Sequence, residues 1–211
     1  MNICEHLTAT ARIVPDRCAV LFEGRKTTYA ELEALSAAAA RELGDAGVER
    51  GDRVALLLPN VPAFFVWYYA ALRLGAIAAS ISTRLADQEV AELLTDCQAK
   101  ALVQLAEEPV STPIETHECI EMRFAVNDGG DRIKGRELRP SDAVSDRWVD
   151  AEPNDPAVIL YTSGTTGHAK GATLSHQNVR TNACAFNHLC QMEAEDRILL
   201  AVPLFHCFGQ N

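Results

Sequence analysis

The sequence predicts an α/β fold: parallel-rich sheets flanked by helices. Three observations carry the prediction. Short apolar runs recur at Arg53–Leu58, Ala76–Ile81 and Ala101–Leu105, and again at Ala157–Tyr161. These runs are continuous rather than alternating, which suits strands buried on both faces. Helical patterns with their own start and stop signals lie between the first three, and strand–helix–strand alternation is the mark of crossovers in a parallel sheet.

Taken in order, Thr28-Tyr-Ala-Glu31 reads as a capping box, with Thr28 as N-cap and Glu31 three residues on. An Ala/Leu/Glu-rich helix is expected from there to about Leu43, closed by Gly44 and Gly47. The strand at Arg53–Leu58 ends at Pro59-Asn60, and an aromatic-rich helix runs from Val61 to about Leu74, stopped by Gly75. Ala76–Ile81 is the next strand, Asp87 to about Asp96 the next helix, and Ala101–Leu105 a third strand. From 106 to 156 the texture changes. Pro109, Pro113, Gly129-Gly130, Pro140, Pro153 and Pro156 interrupt a charged segment in which only Met122–Val126 reads as a strand. Regularity returns with the strand at Ala157–Tyr161. Ser175 is an N-cap for a helix from His176 to Cys190, and Ile198–Val202 reads as a further strand. The chain thus divides into three portions: an α/β part over 1–105, an irregular part over 106–156, and a loop-bearing part over 157–211.

Composition narrows the function. With 29 acidic against 19 basic residues the net charge is −10, so no basic face is available to neutralise nucleic-acid phosphates. The longest apolar run, Val61–Leu72, is too short to span a bilayer, and a packed core helix is the expectation there. The N-terminal residues lack a basic stretch followed by an apolar run, so no signal peptide is expected. Seven cysteines, an odd number with no CxxC spacing, suggest a reduced cytoplasmic protein with buried thiols. Cys184, His188, Cys190, His206 and Cys207 cluster late in the chain, but their spacing matches no usual zinc pattern, and no metal ligands are assigned.

The stretch with the most chemistry is Tyr161-Thr-Ser-Gly-Thr-Thr-Gly-His-Ala-Lys-Gly171, expected between a strand and the Ser175-capped helix. It could be a flexible linker, a tight turn or a cradle for phosphate. Gly164 and Gly167 permit positive φ, so successive N–H groups can face one concavity. Thr162, Ser163, Thr165 and Thr166 add hydroxyl donors, and Lys170 can lay a positive charge on phosphate oxygens. It is not the common triphosphatase loop, because Lys170 stands three positions after Gly167 rather than next to it. A tight hairpin loop folded around pyrophosphate is the better picture.

Ile159–Gly171 resembles the signature of the AMP-forming, adenylate-forming enzyme superfamily, which includes acyl-CoA synthetases, beetle luciferases and the adenylation domains of peptide synthetases. One departure is Ala169, where the family most often has Pro. Gly47–Ala55, Ala71–Ala76 with Ile81–Leu85, and Pro203–Gly209 resemble further family blocks, so the resemblance runs from about Thr28 to Asn211.

That resemblance implies a fold, a reaction and a set of site residues. The fold is the first part of the large N-terminal domain of an adenylate-forming enzyme. A carboxylate attacks the α-phosphate of ATP to give an acyl-adenylate and pyrophosphate, and a thiol, usually coenzyme A, then displaces AMP. Thr162, Ser163, Gly164, Thr165, Thr166, Gly167 and Lys170 hold the β- and γ-phosphates, with Thr165 and Lys170 closest to catalysis, and His206 lies near the substrate carboxylate. ATP, Mg²⁺ and CoA are implied, with the Mg²⁺ ligand and the CoA site outside this sequence. Partners are a small carboxylic acid and ATP. A homo-oligomer or a missing C-terminal part is left open. An acid–CoA ligase of fatty or other organic acids is the first reading; an adenylation domain that loads a carrier protein, or a non-catalytic anion-binding remnant, are the alternatives. The family's adenine, Mg²⁺-glutamate, ribose and hinge motifs are not found, so the 211 residues are expected to be truncated and inactive alone.

Overall fold

The computed structural model describes residues 2–108, 112–138, 149–162 and 169–206. The chain opens with a helix α1 (Cys4–Ile13), then a hairpin of β1 (Cys18–Phe22) and β2 (Arg25–Thr28), then α2 (Tyr29–Asp45). Next come β3 (Arg53–Leu57), α3 (Pro62–Arg73), β4 (Ile77–Ser80), α4 (Asp87–Cys97), β5 (Ala101–Leu105), one turn α5 (Thr112–Glu115) and β6 (Met122–Val126). Two short strands, β7 (Arg132–Ile133) and β8 (Arg136–Glu137), precede β9 (Pro156–Thr162), β10 (Lys170–Ser175) and α6 (His176–Cys190).

The main sheet has eight strands in the order β10-β9-β4-β3-β5-β6-β7-β8. Its centre, β9-β4-β3-β5-β6, is parallel throughout, and antiparallel strands finish both edges. Because side chains alternate across a strand, β3 serves two cores. Val54, Leu56 and Leu58 pack with α1, α2 and α3, whereas Ala55 and Leu57 pack with Val90, Leu93 and Leu94 of α4. The continuous apolar run at 53–58 is thus the signature of a strand covered on both sides.

Local signals account for the helices. Thr28 accepts from the Glu31 N–H at 3.2 Å, and the Glu31 carboxylate accepts from the Thr28 N–H at 2.7 Å, a closed capping box. Pro62 opens α3 in its first turn, where a missing N–H costs nothing. Trp67 on α3 is fully buried and meets Phe124 of β6 with ring centroids 5.2 Å apart.

The core under α1, α2 and α3 contains a buried ion pair, Glu33–Arg73, each side chain 1% exposed. Thr8 donates to the Glu33 carboxylate at 3.0 Å, and Arg73 Nε donates to Ser36 Oγ at 3.2 Å. Burial of two charges is costly unless each finds partners, and here three helices supply them.

Several expectations need correction. Ile198–Val202 is not a strand, and Ile198 and Leu199 are exposed. No strand of the described residues pairs with it, and an isolated apolar run gains nothing from extending. Within 106–156, β6 is the strand expected at Met122–Val126, and two short strands not expected, β7 and β8, continue the sheet beyond it. The thiols divide: Cys4 and Cys97 are buried, but Cys18, Cys184 and Cys190 are exposed. Burial pushes the Cys4 thiol up to about 12.

Candidate phosphate-binding site

The loop that carries the sequence signature joins β9 to β10. The expected order, strand then loop then helix, is corrected here: a strand intervenes, and α6 begins only after Ser175. β9 and β10 are therefore the two arms of a hairpin. The strand was hidden because its apolar alternation is only two residues deep, Ala172 and Leu174, and its first four residues are exposed.

The hairpin brings together two of the named residues. Thr162, the last residue of β9, is the register partner of Lys170, the first residue of β10, and both side chains are exposed. Ser163, Gly164, Thr165, Thr166 and Gly167 lie outside the described residues.

Topology fixes where this base points. β9 is parallel to β4, and β4 to β3, so the end of β9 lies at the carboxyl edge shared by the central strands. β10 runs the other way, which puts Lys170 at that edge too. In open α/β sheets, ligands bind outside the carboxyl ends of the strands.

A second segment reaches the same edge. Asn60 follows β3, and its amide brackets one stretch of backbone: Nδ2 donates to the Val202 carbonyl at 2.9 Å, and Oδ1 accepts from the Leu204 N–H at 2.7 Å. Leu204 is buried beneath this clamp. The turn then continues to His206, which is exposed and whose N–H donates to the Pro203 carbonyl at 3.0 Å. Two strand spacings separate β3 from β9, about 10 Å, so the residue-206 turn and the hairpin base lie along the same carboxyl edge of the sheet. Asn60 could not be singled out from sequence because its partners lie 142 and 144 residues away. The Pro-Asn punctuation after an apolar strand is the one signal that marks its position.

Behind the hairpin stands Tyr161. Its hydroxyl reaches the Asp96 carboxylate at 2.8 Å and the Leu93 carbonyl at 3.2 Å, both on α4. Burial, with Cys97 and Asp96 beside it, pushes the phenol well above its usual value and keeps it a donor. Its ring lies against Gly171: a Cβ there would come within 3.2 Å of the ring and 3.1 Å of Ile159.

The donor set at the hairpin base, a hydroxyl and a cationic side chain, suits an anion. It does not suit Mg²⁺, since Lys170 would repel it, and among the described residues no group of three His, Cys, Asp or Glu could hold a metal ion. Cys184, His188 and Cys190 are all exposed on α6. No helix of the described residues is long and apolar enough to cross a membrane.

The fold and this loop define an adenylate-forming class of protein, and known proteins bear that out. The sequence pattern of the family described as "AMP-binding enzyme" matches residues 7–211, and the chain belongs to that family. A long-chain-fatty-acid–CoA ligase, FadD13 of Mycobacterium tuberculosis, is 38% identical over 184 residues, covering 86% of this chain and 36% of that protein. The indoleacetate–CoA ligase of Aromatoleum aromaticum is 33% identical, covering 100% of this chain and 42% of that protein. The chain thus spans roughly two-fifths of the length of these relatives. Among solved structures, the inhibitor-bound N-terminal domain of FACL13 from Mycobacterium tuberculosis superposes with a TM-score of 0.84 at 33% identity, covering 97% of this chain and 52% of that one. The architecture is that of the N-terminal domain of adenylate-forming enzymes.

Proposed function

We propose that this chain carries the phosphate-holding part of an ATP-dependent acid–CoA ligase. The carrying observation is the pairing of Thr162 with Lys170 at the carboxyl edge of the parallel sheet. It places a hydroxyl and a cation on either side of the loop 163–168, where ATP phosphates would lie. Thr162, Ser163, Thr165, Thr166, Lys170 and the glycine amides hold the β- and γ-phosphates, and Lys170 and Thr165 stabilise the pyrophosphate as it leaves. Cationic and N–H donors aimed at charge that develops in the transition state lower the barrier. His206, on the turn held by Asn60, faces the acid's carboxylate. It is not needed as a base, because a carboxylic acid is already ionised at neutral pH.

The relatives' names favour CoA as acceptor and an organic acid, with fatty acids the first class to test. The 211 residues alone are expected to bind ATP without turning over, the remaining functions belonging to the part of the relatives that this chain does not span. Residues 1–105, 106–156 and 157–211 serve as the sheet's foundation, its far edge and its phosphate limb.

The test is ATP or pyrophosphate binding by calorimetry, with Lys170→Ala beside the unaltered chain. A hydrogen bond to a charged group contributes about 1.5–3 kcal/mol, so Lys170→Ala should weaken binding roughly tenfold or more. Equal affinity for both proteins refutes the reading. Robust carboxylate-dependent pyrophosphate release by the 211 residues would refute the expected inactivity.

A further inference from the structure

We propose that Tyr161 and Asp96 form a positioning pair for the phosphate hairpin, the phenol fixing the base from which Lys170 reaches its ligand. The proposal rests on the phosphate-binding reading above.

The hairpin needs such a support. β10 is exposed from Lys170 to Thr173, and α6 buries only His176 and Val179, so little packing holds the return strand from its outer side. A loop that grips an anion loses affinity if its base must be ordered on binding.

Tyr161 supplies order from the inner side. It is next to the last residue of β9, adjacent to Thr162, and its register partner is Gly171, adjacent to Lys170. The would-be Cβ of Gly171 lies 3.2 Å from Tyr161 Cε1 and 3.4 Å from Cζ, so the ring lies against the return strand itself. At its far end the hydroxyl is shared between the Asp96 carboxylate and the Leu93 carbonyl. α4 is in turn seated on the sheet by Val90, Leu93 and Leu94, all buried. One side chain thus couples a packed helix to both strands of the hairpin. It reaches Thr162 through the backbone and Lys170 through contact with Gly171.

The experiment titrates inorganic pyrophosphate into the unaltered chain and into Lys170→Ala, Tyr161→Phe, Asp96→Asn, Asp96→Ala and Val90→Ala. Tyr161→Phe keeps the ring and loses the tether, and should weaken binding about three- to tenfold. Asp96→Ala should do the same, while Asp96→Asn, which keeps an acceptor oxygen, should stay close to the unaltered chain. Val90→Ala should lower the melting temperature from the same helix while keeping both acceptors of the Tyr161 hydroxyl, and should leave affinity unchanged. A merely structural role for Tyr161 would make affinity follow melting temperature across the set. If Lys170→Ala weakens binding but Tyr161→Phe does not, the positioning pair is refuted and the phosphate reading stands. If the unaltered chain does not bind pyrophosphate, that reading fails instead, and hydrogen exchange decides the pair. Faster exchange of the β10 amides in Tyr161→Phe supports the tether, and unchanged exchange overturns it.

Discussion

Along β3 every residue from Val54 to Leu57 is buried, whereas along β10 every residue from Lys170 to Thr173 is exposed. The two strands belong to one sheet, and each is followed by a helix. The helices differ in the same sense. α3 buries ten of its twelve residues, and α6 buries two of fifteen. On and just after α6, Leu189, Ile198 and Leu199 are exposed. Burial separates the regions, and so does pairing: β3 is laddered on both sides by β4 and β5, whereas β10 is an edge strand paired with β9 alone among the described residues. The foundation is held by packing. In the limb 157–211, β9 is packed into the core at Ala157, Val158 and Leu160, and the rest relies more on polar tethers: Asn60 on Val202 and Leu204, Tyr161 on α4, and His176 on the N-terminal segment.

The largest effect should come from the foundation. Glu33→Ala leaves Arg73 charged in a site where its side chain is 1% exposed. Removing one member of a buried pair costs about 3–5 kcal/mol, read as a fall in the denaturant midpoint. Replacing both, Glu33→Leu with Arg73→Met, should restore much of that loss, because no uncompensated charge remains. If the single and double changes cost the same, the pair is not what holds α1, α2 and α3 together.

A smaller effect compares the two capping boxes. Ser175 accepts from the Asn178 N–H at 3.2 Å, matching Thr28 and Glu31 at 3.2 Å. Loss of a cap costs about 1 kcal/mol locally. Thr28→Ala should appear in the global melting temperature, because α2 is packed into the core. Ser175→Ala should instead speed amide exchange at the start of α6 with little change in melting, because α6 can fray alone. Equal falls in melting temperature would show that the limb unfolds together with the foundation.

The same contrast decides what the sequence could reveal. The foundation was legible because packing imposes patterns: the apolar run of β3, the Thr28–Glu31 box and the glycine stops all follow from burial or capping. The strand β10 was illegible because it is exposed over its first four residues and its alternation, Ala172 and Leu174, is too short to mark a strand. The expected strand at Ile198–Val202 failed for the converse reason, an apolar run with no partner strand among the described residues. The β1–β2 hairpin was missed although Glu23-Gly24 marks it, with φ of 48° and 78° at the two turn residues, the geometry of a tight hairpin turn. The site divided likewise. Thr162, Lys170 and the loop could be singled out as candidates from their chemistry, whereas Asn60, Tyr161 and Asp96, which the fold places around the hairpin base, could not. Their roles lie in contacts 65 to 144 residues apart, which only the fold creates.

The smallest expected effect tests the tether at His176. This ring is 2% exposed, and its Nδ1 accepts from the Ile3 N–H at 3.3 Å, joining the N-terminal segment to the start of α6. Burial lowers its pKa below the ordinary 6.5, with Asp155 and Glu5 opposing the shift. The unfolded chain therefore takes up a proton near pH 6.5 while the folded chain does not until lower pH. Stability from this group is full above that value and is lost as pH falls toward the depressed folded pKa. Protonation also removes the acceptor that Ile3 uses, so the limb's tether weakens over the same range. His176→Asn keeps an acceptor oxygen but cannot titrate. Melting temperature should fall less steeply between pH 7 and pH 5 in His176→Asn than in the unaltered chain. Identical slopes would move the pH dependence to other groups and leave the limb held by Asn60 and Tyr161.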